Sequence, residues 1–224
     1  MISVAIDGPA GAGKSSVSRM AALKLGYIYI DTGALYRAIG LKFLNSGYDE
    51  SLECDVNSVL KNTRIDIKFI DGVQRVILDG EDVSDKIRTP KASMMASAVS
   101  AKPEVRDFLL EMQRKLAREN NVLMDGRDIG TVVLPNANVK IYLTASVEER
   151  AARRYRELKE KDPNITLEAV KGDIEQRDRN DMNRAVAPLK KADDAVLADT
   201  TGLNVEQSVD LIIKIVTQRV GKQN

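Results

Sequence analysis

Histidine and tryptophan are absent from this 224-residue chain, and there is a single cysteine. Without histidine there can be no histidine-based triad and no histidine metal centre. A lone cysteine rules out an internal disulfide, and Cys54, in a stretch of helical patterning, is read as buried and inert. Aromatic residues are only 4% of the chain, too few for the stacking platform of a single-strand binder. No apolar run approaches the ~18 residues of a membrane span. The segment Met1 to Asp7 lacks a basic stretch followed by a long apolar one, so no signal peptide is expected. The net charge of +1 leaves no global field to draw in nucleic acid or a membrane. The expectation is a cytoplasmic monomer with neither as a partner. Any anion site must come from local clusters of arginine and lysine.

What is present is an alternation of short apolar runs and helical patterns. Ile2–Ile6, Tyr27–Ile30, Val122–Met124, Val139–Leu143 and Ala195–Ala198 read as strands. Ser15–Leu25 has helical spacing and stops at Gly26, a glycine C-cap. Thr32–Leu44 reads as a helix capped by Asp31 or Thr32. Ser146 and Glu149 read as a capping box. Asn204 opens a last helix with Val205, Val209, Ile212, Ile213 and Val216 on its apolar side. Pro90 and Pro103 stand near two further helix starts. Buried strands separated by helices imply an α/β fold with a parallel sheet covered on both faces. One region departs from this pattern. Arg64–Ile70 alternates, Asp71-Gly72 turns and Arg75–Leu78 follows, a hairpin signal within the α/β pattern. Residues 157–166 are polar and read as a mobile loop between two helices.

The segment Gly8, Pro9, Ala10, Gly11, Ala12, Gly13, Lys14, Ser15 fits the phosphate-loop pattern G-x-x-x-x-G-K-[ST], and Ser16 follows it. It also sits between a buried strand and a helix, where the chemistry needs it. Glycine lets backbone N–H groups turn inward on phosphate oxygens, and the helix N-terminus adds partial positive charge. Lys14 can reach the β- and γ-phosphates of a nucleoside triphosphate, and the Ser15 hydroxyl can ligate Mg²⁺. ATP and Mg²⁺ are therefore the expected phosphoryl donor and metal.

Three further clusters sit where an acceptor would bind. Tyr36 and Arg37 follow the second strand by one helical turn, and read either as a phosphate contact or as part of a plain capped helix. Asp125 ends the strand Val122–Met124 and can hold Mg²⁺ through water; Arg127 and Asp128 follow it, and a solvated charged turn is the alternative. Arg177, Asp181 and Arg184 are spaced to share one helix face. Arg150, Arg153 and Arg154 form a second group on the preceding helix. Arginine in place of mixed lysine and glutamate suits bidentate phosphate contacts, so the two groups read as walls of a lid in preference to a salt-bridged surface.

At this point the chain resembles the bacterial cytidylate kinase family. The matching stretches are Ile6–Ser15, Asp31–Arg37, Asp125–Val133 and Asn183–Leu189, and the likeness covers nearly the whole length. The resemblance implies a P-loop NTPase-type five-stranded parallel sheet flanked by helices. It also implies a small antiparallel monophosphate-binding insertion at 63–85 and a helical lid at about 150–184 within a core of 1–62 and 86–224. Carried onto this sequence, Thr32, Arg106 and Asp128 would contact cytosine. Tyr36, Arg37, Arg127 and Arg184 would hold the acceptor phosphate, and Ser97, Arg177 and Asp181 the sugar. Lys14, Arg127, Arg184, Arg153 and Arg154 are the candidate catalytic residues, with Ser15 and Asp125 as metal ligands. Position 32 is Thr where other members can have Ser, and Ser15-Ser16 stands where some relatives have Gly-Thr. The expected reaction is ATP-dependent phosphorylation of CMP and dCMP. A carboxylate accepts from the cytosine N4 amino group, whereas uracil would set O4 against it.

Overall fold

A computed structural model describes residues 1–49, 51, 55–160 and 162–221, so the reading of Cys54 lies outside the described residues. The five apolar runs form one parallel sheet: β1 (Ser3–Asp7), β2 (Ile28–Asp31), β6 (Val122–Gly126), β7 (Val139–Thr144) and β8 (Val196–Asp199), in the order β2-β6-β1-β7-β8. Each strand begins or ends one or two residues from its expected limit. β1 is central, pairing Ile6 with Asp125 on one side and with Ile141 on the other. The chain leaves β1 toward β2 and leaves β6 toward β7 across it. The switch in direction opens a crevice at the carboxyl ends of these strands.

Both faces of β1 are buried, which is why Val4, Ala5 and Ile6 in succession are apolar. Val4 and Ile6 pack under α1 (Lys14–Leu25) and α8 (Val205–Val220) together with Val17, Ile212 and Val216. Ala5 faces the opposite side with Ile30, Met124 and Val133. A third cluster joins Leu35, Ile39 and Phe43 of α2 (Thr32–Asn45) to Met95 of α4 (Pro90–Ser100) and Leu109 of α5 (Pro103–Glu119). Asp31 is the cap of α2, accepting from Ala34 N–H at 2.9 Å. Pro90 and Pro103 each open their helix, where a missing N–H costs nothing. A short α3 (Val56–Lys61) closes that cluster from below with Val59 and Leu60.

The antiparallel insertion is a second sheet: β3 (Ile65–Ile70), β4 (Val73–Leu78) and β5 (Glu81–Asp82). Asp71 and Gly72 have φ of 51° and 73°, the two positive values that a two-residue hairpin turn of matching twist requires. The ribbon packs on the main sheet through Ile67 and Phe69, and one of its side chains hydrogen-bonds to β2. Gln74 accepts from Asp31 N–H at 2.8 Å and donates to Asp31 O at 3.2 Å.

The expected lid is a helical hairpin, α6 (Val147–Lys159) and α7 (Leu167–Asn183), with Ala151, Val170 and Ile174 between the helices. Three expectations are corrected here. The polar stretch 157–166 is not all loop, because α6 runs through Lys159. Ser146 caps α6 by accepting from Glu149 N–H, but the box is not closed: Ser146 N–H donates to Thr201 Oγ1 at 2.9 Å, and Glu149 turns to Arg153. Arg184 does not share the helix face of Arg177 and Asp181. α7 ends at Asn183 and Arg184 is extended, with φ −63° and ψ 142°.

Candidate active site

The phosphate loop spans the turn from β1 to α1. Gly8 has to be glycine, because a Cβ there would lie 1.9 Å from the Leu143 carbonyl oxygen on the neighbouring strand. Gly13, at φ 82°, is the N-cap of α1 and supplies no side chain to its first N–H groups. That end of the helix is therefore open to an anion. The buried Lys14 ammonium donates to the carbonyls of Gly8 and Pro9 at 2.7 Å each. Burial, with the Arg127 charge behind it, lowers Lys14 to about 7 against the pull of Asp125, Asp181 and Asp7. The lysine thus stands among opposing charges at the mouth of its own loop.

Two buried carboxylates act on the Lys14 charge. Asp125, 3% exposed, accepts from Ser15 Oγ and from Tyr29 Oη, each at 3.0 Å. Burial, then the charge of Asp31, raises it to about 7. Its oxygens and the Ser15 hydroxyl are hard donors of the kind Mg²⁺ accepts, one carboxylate and one hydroxyl with the other positions left to water and phosphate oxygens. Asp7 is buried at the end of β1 and takes the N–H groups of Ile129 and Gly130 at 2.7 Å each. It thereby holds the single π-helical turn Ile129–Val133 that follows Asp128. Burial outweighs those two bonds and raises Asp7 to about 6.

Facing the loop is a set of guanidinium groups interleaved with carboxylates. Arg37 pairs with Asp31 at 2.9 Å and Arg127 with Asp181 at 2.8 Å. Asp128, 4% exposed, takes Arg106 on one oxygen and Arg184, at 3.4 Å, on the other. Arg184 is steadied by donating to Ala187 O at 2.6 Å, within the turn after α7. Arg106 also donates to Ser100 O at 3.1 Å and lies over the Tyr36 ring, 5.6 Å from its centre. Burial works against the Arg106 cation, but Asp128 with Tyr36 and Asp107 outweighs it, holding the group above its ordinary value. Arg177 has neither a hydrogen bond nor an ion pair among the described residues. Loss of hydration, then the Arg127 charge, lowers it, with Arg154 and Arg37 adding to the crowding. Arg184 is lowered likewise by burial and then by Arg106. Cations crowded enough to weaken one another mark a place for an anion.

The sequence model of the family described as cytidylate kinase matches residues 4–218. The cytidylate kinase of Caldicellulosiruptor saccharolyticus is 52% identical over 222 residues, covering 99% of this chain and 98% of that protein. That of Carboxydothermus hydrogenoformans is 49% identical over 218 residues, covering 96% and 97%. The chain belongs to the cytidylate kinase family. The fold is also found at far lower likeness. The crystal structure of an uncharacterized protein from Eubacterium ventriosum superposes with a TM-score of 0.53 at 11% identity, covering 96% of this chain and 97% of that one.

Within this cytidylate kinase fold the other candidates fall in three groups. Thr32 is buried at the start of α2, and its hydroxyl donates to Asp125 O at 2.7 Å. Ser97 is half-buried on α4, one turn before the Ser100 carbonyl that holds Arg106. Ser16 is exposed on α1. The arginines expected on a lid separate. Arg153 donates to the carbonyls of Thr200 and Leu203 at 2.9 and 3.2 Å, linking α6 to the loop after β8. Arg154 is half-exposed and pairs with Glu157 at 2.8 Å. Arg150 is not on a lid wall at all but buried against the phosphate loop. Sequence reading missed Asp7, Tyr29, Gln74 and Asp178. Asp7 left a signal, an acid at the end of an otherwise apolar strand; the others become visible only through their partners.

Proposed function

We propose that the protein transfers the γ-phosphoryl group of ATP to CMP and dCMP. The observation that carries this reading is the cluster of Arg37, Arg127, Arg177 and Arg184 near the Lys14 loop, with Arg177 making no ion pair among the described residues and crowded by Arg127, and Arg184 weakened by burial and by Arg106. A phosphate monoester with a second pKa near ~6 is largely a dianion at neutral pH and needs no base to attack. What it needs is cancellation of repulsion, in-line placement and exclusion of water. Arg37, Arg127 and Arg184 with Tyr36 hold the acceptor phosphate, while Arg177, Asp181 and Ser97 hold the sugar. Lys14 and the loop N–H groups of residues 8–16 take the donor phosphates, with Arg153 and Arg154 closing from the α6–α7 lid. Mg²⁺ on Ser15 and Asp125, when bound, neutralises the donor's phosphate oxygens.

The base pocket follows from hydrogen-bond polarity. Asp128, oriented by Arg106, presents an acceptor to the cytosine N4 amino group, and Arg106 presents donors to the ring acceptors. The Thr32 proton is already given to Asp125 O, so its oxygen is left to accept from the same amino group. Uracil O4 would face two acceptors and be left buried without a donor, a strong penalty. Steady-state kinetics with ATP and Mg²⁺ on CMP, dCMP and UMP tests this. The first two are expected to be good acceptors and UMP a poor one. Equal kcat/KM for UMP and CMP would overturn the base assignment, and no acceptor-dependent ADP release would overturn the reaction.

A further inference from the structure

The peptide units on both sides of Ala10, in the middle of the phosphate loop, are held by side chains from the two helices of the lid hairpin. Asp178 on α7 accepts from Ala10 N–H at 2.8 Å. Its second oxygen takes Arg150 Nη1 of α6 at 2.6 Å, and the same nitrogen donates to Ala10 O at 2.7 Å. Arg150 Nε is fixed by Ala145 O at 3.0 Å. Ala10, Arg150 and Asp178 are 2%, 4% and 7% exposed. The next residue is packed by the same helices: a Cβ on Gly11, at φ 71°, would meet Ile174 Cδ1 at 3.2 Å and Arg150 Cβ at 3.5 Å. The loop apex therefore sits in a seat whose two walls are α6 and α7.

We infer that Arg150 and Asp178 are a positioning pair for ATP, setting the loop conformation that binds phosphate and coupling it to docking of the α6–α7 hairpin. Neither side chain is placed to touch the transferred group; each acts through Ala10. A nest of inward N–H groups binds phosphate only while its backbone stays in one conformation. The pair fixes that backbone from helices that also carry Arg153, Arg154, Arg177 and Asp181. With the docked hairpin holding the loop conformation that ATP favours, linkage makes the effect reciprocal: docking raises affinity for ATP by the same factor by which ATP favours docking. A buried ion pair is weak ground for stability alone, whereas its hydrogen bonds to a single loop residue are what a positioning device requires.

This inference rests on the ATP reading of the loop, and the experiment separates the two. ATP affinity, KM for ATP, KM for CMP and kcat are measured for the intact protein and for Asp178→Ala, Asp178→Asn and Arg150→Lys. Hydrogen exchange of α6 and α7 is followed with and without ATP. Asp178→Ala is expected to weaken ATP binding at least tenfold while KM for CMP moves less than threefold, and to abolish ATP-dependent slowing of exchange in the hairpin. Asp178→Asn keeps an oxygen for Ala10 N–H and is expected to weaken ATP binding only severalfold, and Arg150→Lys to behave similarly. Should the alanine variant fail to fold, the other two carry the test. Variants with unchanged ATP affinity, or with ATP and CMP constants that shift together, overturn the coupling. Failure of the unsubstituted protein to bind ATP overturns the coupling and the loop reading together.

Discussion

The Tyr29 hydroxyl donates to Asp125 across 3.0 Å, from the strand beside it in the sheet. Together with Ser15 Oγ on the other oxygen, it turns a buried acid into an oriented one. A hydrogen bond to a charged group is worth about 1.5–3 kcal/mol. Tyr29→Phe is therefore expected to lower unfolding free energy by that amount in urea denaturation at a pH above the value of about 7 to which burial raises Asp125, where the acid is charged, with an unchanged m-value. A midpoint equal to that of the unsubstituted protein would show that the bond contributes nothing.

Asp128 is predicted to decide the acceptor. Its two oxygens answer Arg106 and Arg184, so Asp128→Ala both removes the N4 acceptor and leaves two guanidinium groups without their counter-charge. The expected result is a fall in kcat/KM for CMP of roughly 100-fold or more, the scale for losing a buried polar contact of this kind. KM for ATP should stay within a few-fold. Comparable losses for both nucleotides would place Asp128 outside the base pocket.

Lys14→Met removes the only loop cation while preserving much of the side-chain bulk. A preorganised donor aimed at developing charge is worth roughly 100- to 1,000-fold in rate, and a decrease of that order in kcat is expected. The lysine also donates to two loop carbonyls, so a melting curve belongs beside the kinetics. A large drop in melting temperature with kcat intact would recast Lys14 as structural.

Asp7 predicts a pH dependence of stability. Burial raises its carboxyl from 3.8 to about 6 in the folded protein, so the folded state holds a proton that the unfolded chain gives up earlier. Its contribution is full below about 4, fades as pH rises toward about 6 and is gone above that. At ~1.4 kcal/mol per pH unit the change is about 3 kcal/mol. Asp7→Asn should lack this component, so the stability difference between the two proteins should shift by about 2 kcal/mol of it between pH 4 and 6. Parallel stability curves across that interval would refute it. The amide also faces the N–H of Ile129 or Gly130 with a second donor, so the variant is expected to be less stable at low pH.

Much of this architecture is legible in the chain because local chemistry and tertiary structure agree. Gly8 to Ser15 has glycines where a Cβ would strike Leu143 or crowd the loop, and Asp71-Gly72 is a turn whose conformation few other pairs adopt. The edge strand β5 was not legible, since two residues carry no periodicity. The π-helical turn at 129–133 is held by Asp7, more than 120 residues away in sequence, and its own residues read as an apolar run. Arg150 and Arg153 look alike on a helix diagram. What separates them is Asp178, on another helix. Arg184 was misplaced because spacing is blind to where a helix ends.

The two hydrogen bonds of Gln74 to Asp31 imitate a rung of sheet ladder with a carboxamide in place of a strand. β2 lies at the margin of the main sheet, paired only with β6, and bare margins invite pairing with other chains. One glutamine covers that margin at Asp31, beside the apolar contacts that Val76 and Leu78 make with α2. Any swing of the ribbon away from β2 has to break the imitation rung, so moving the ribbon and baring that edge of the sheet are the same event.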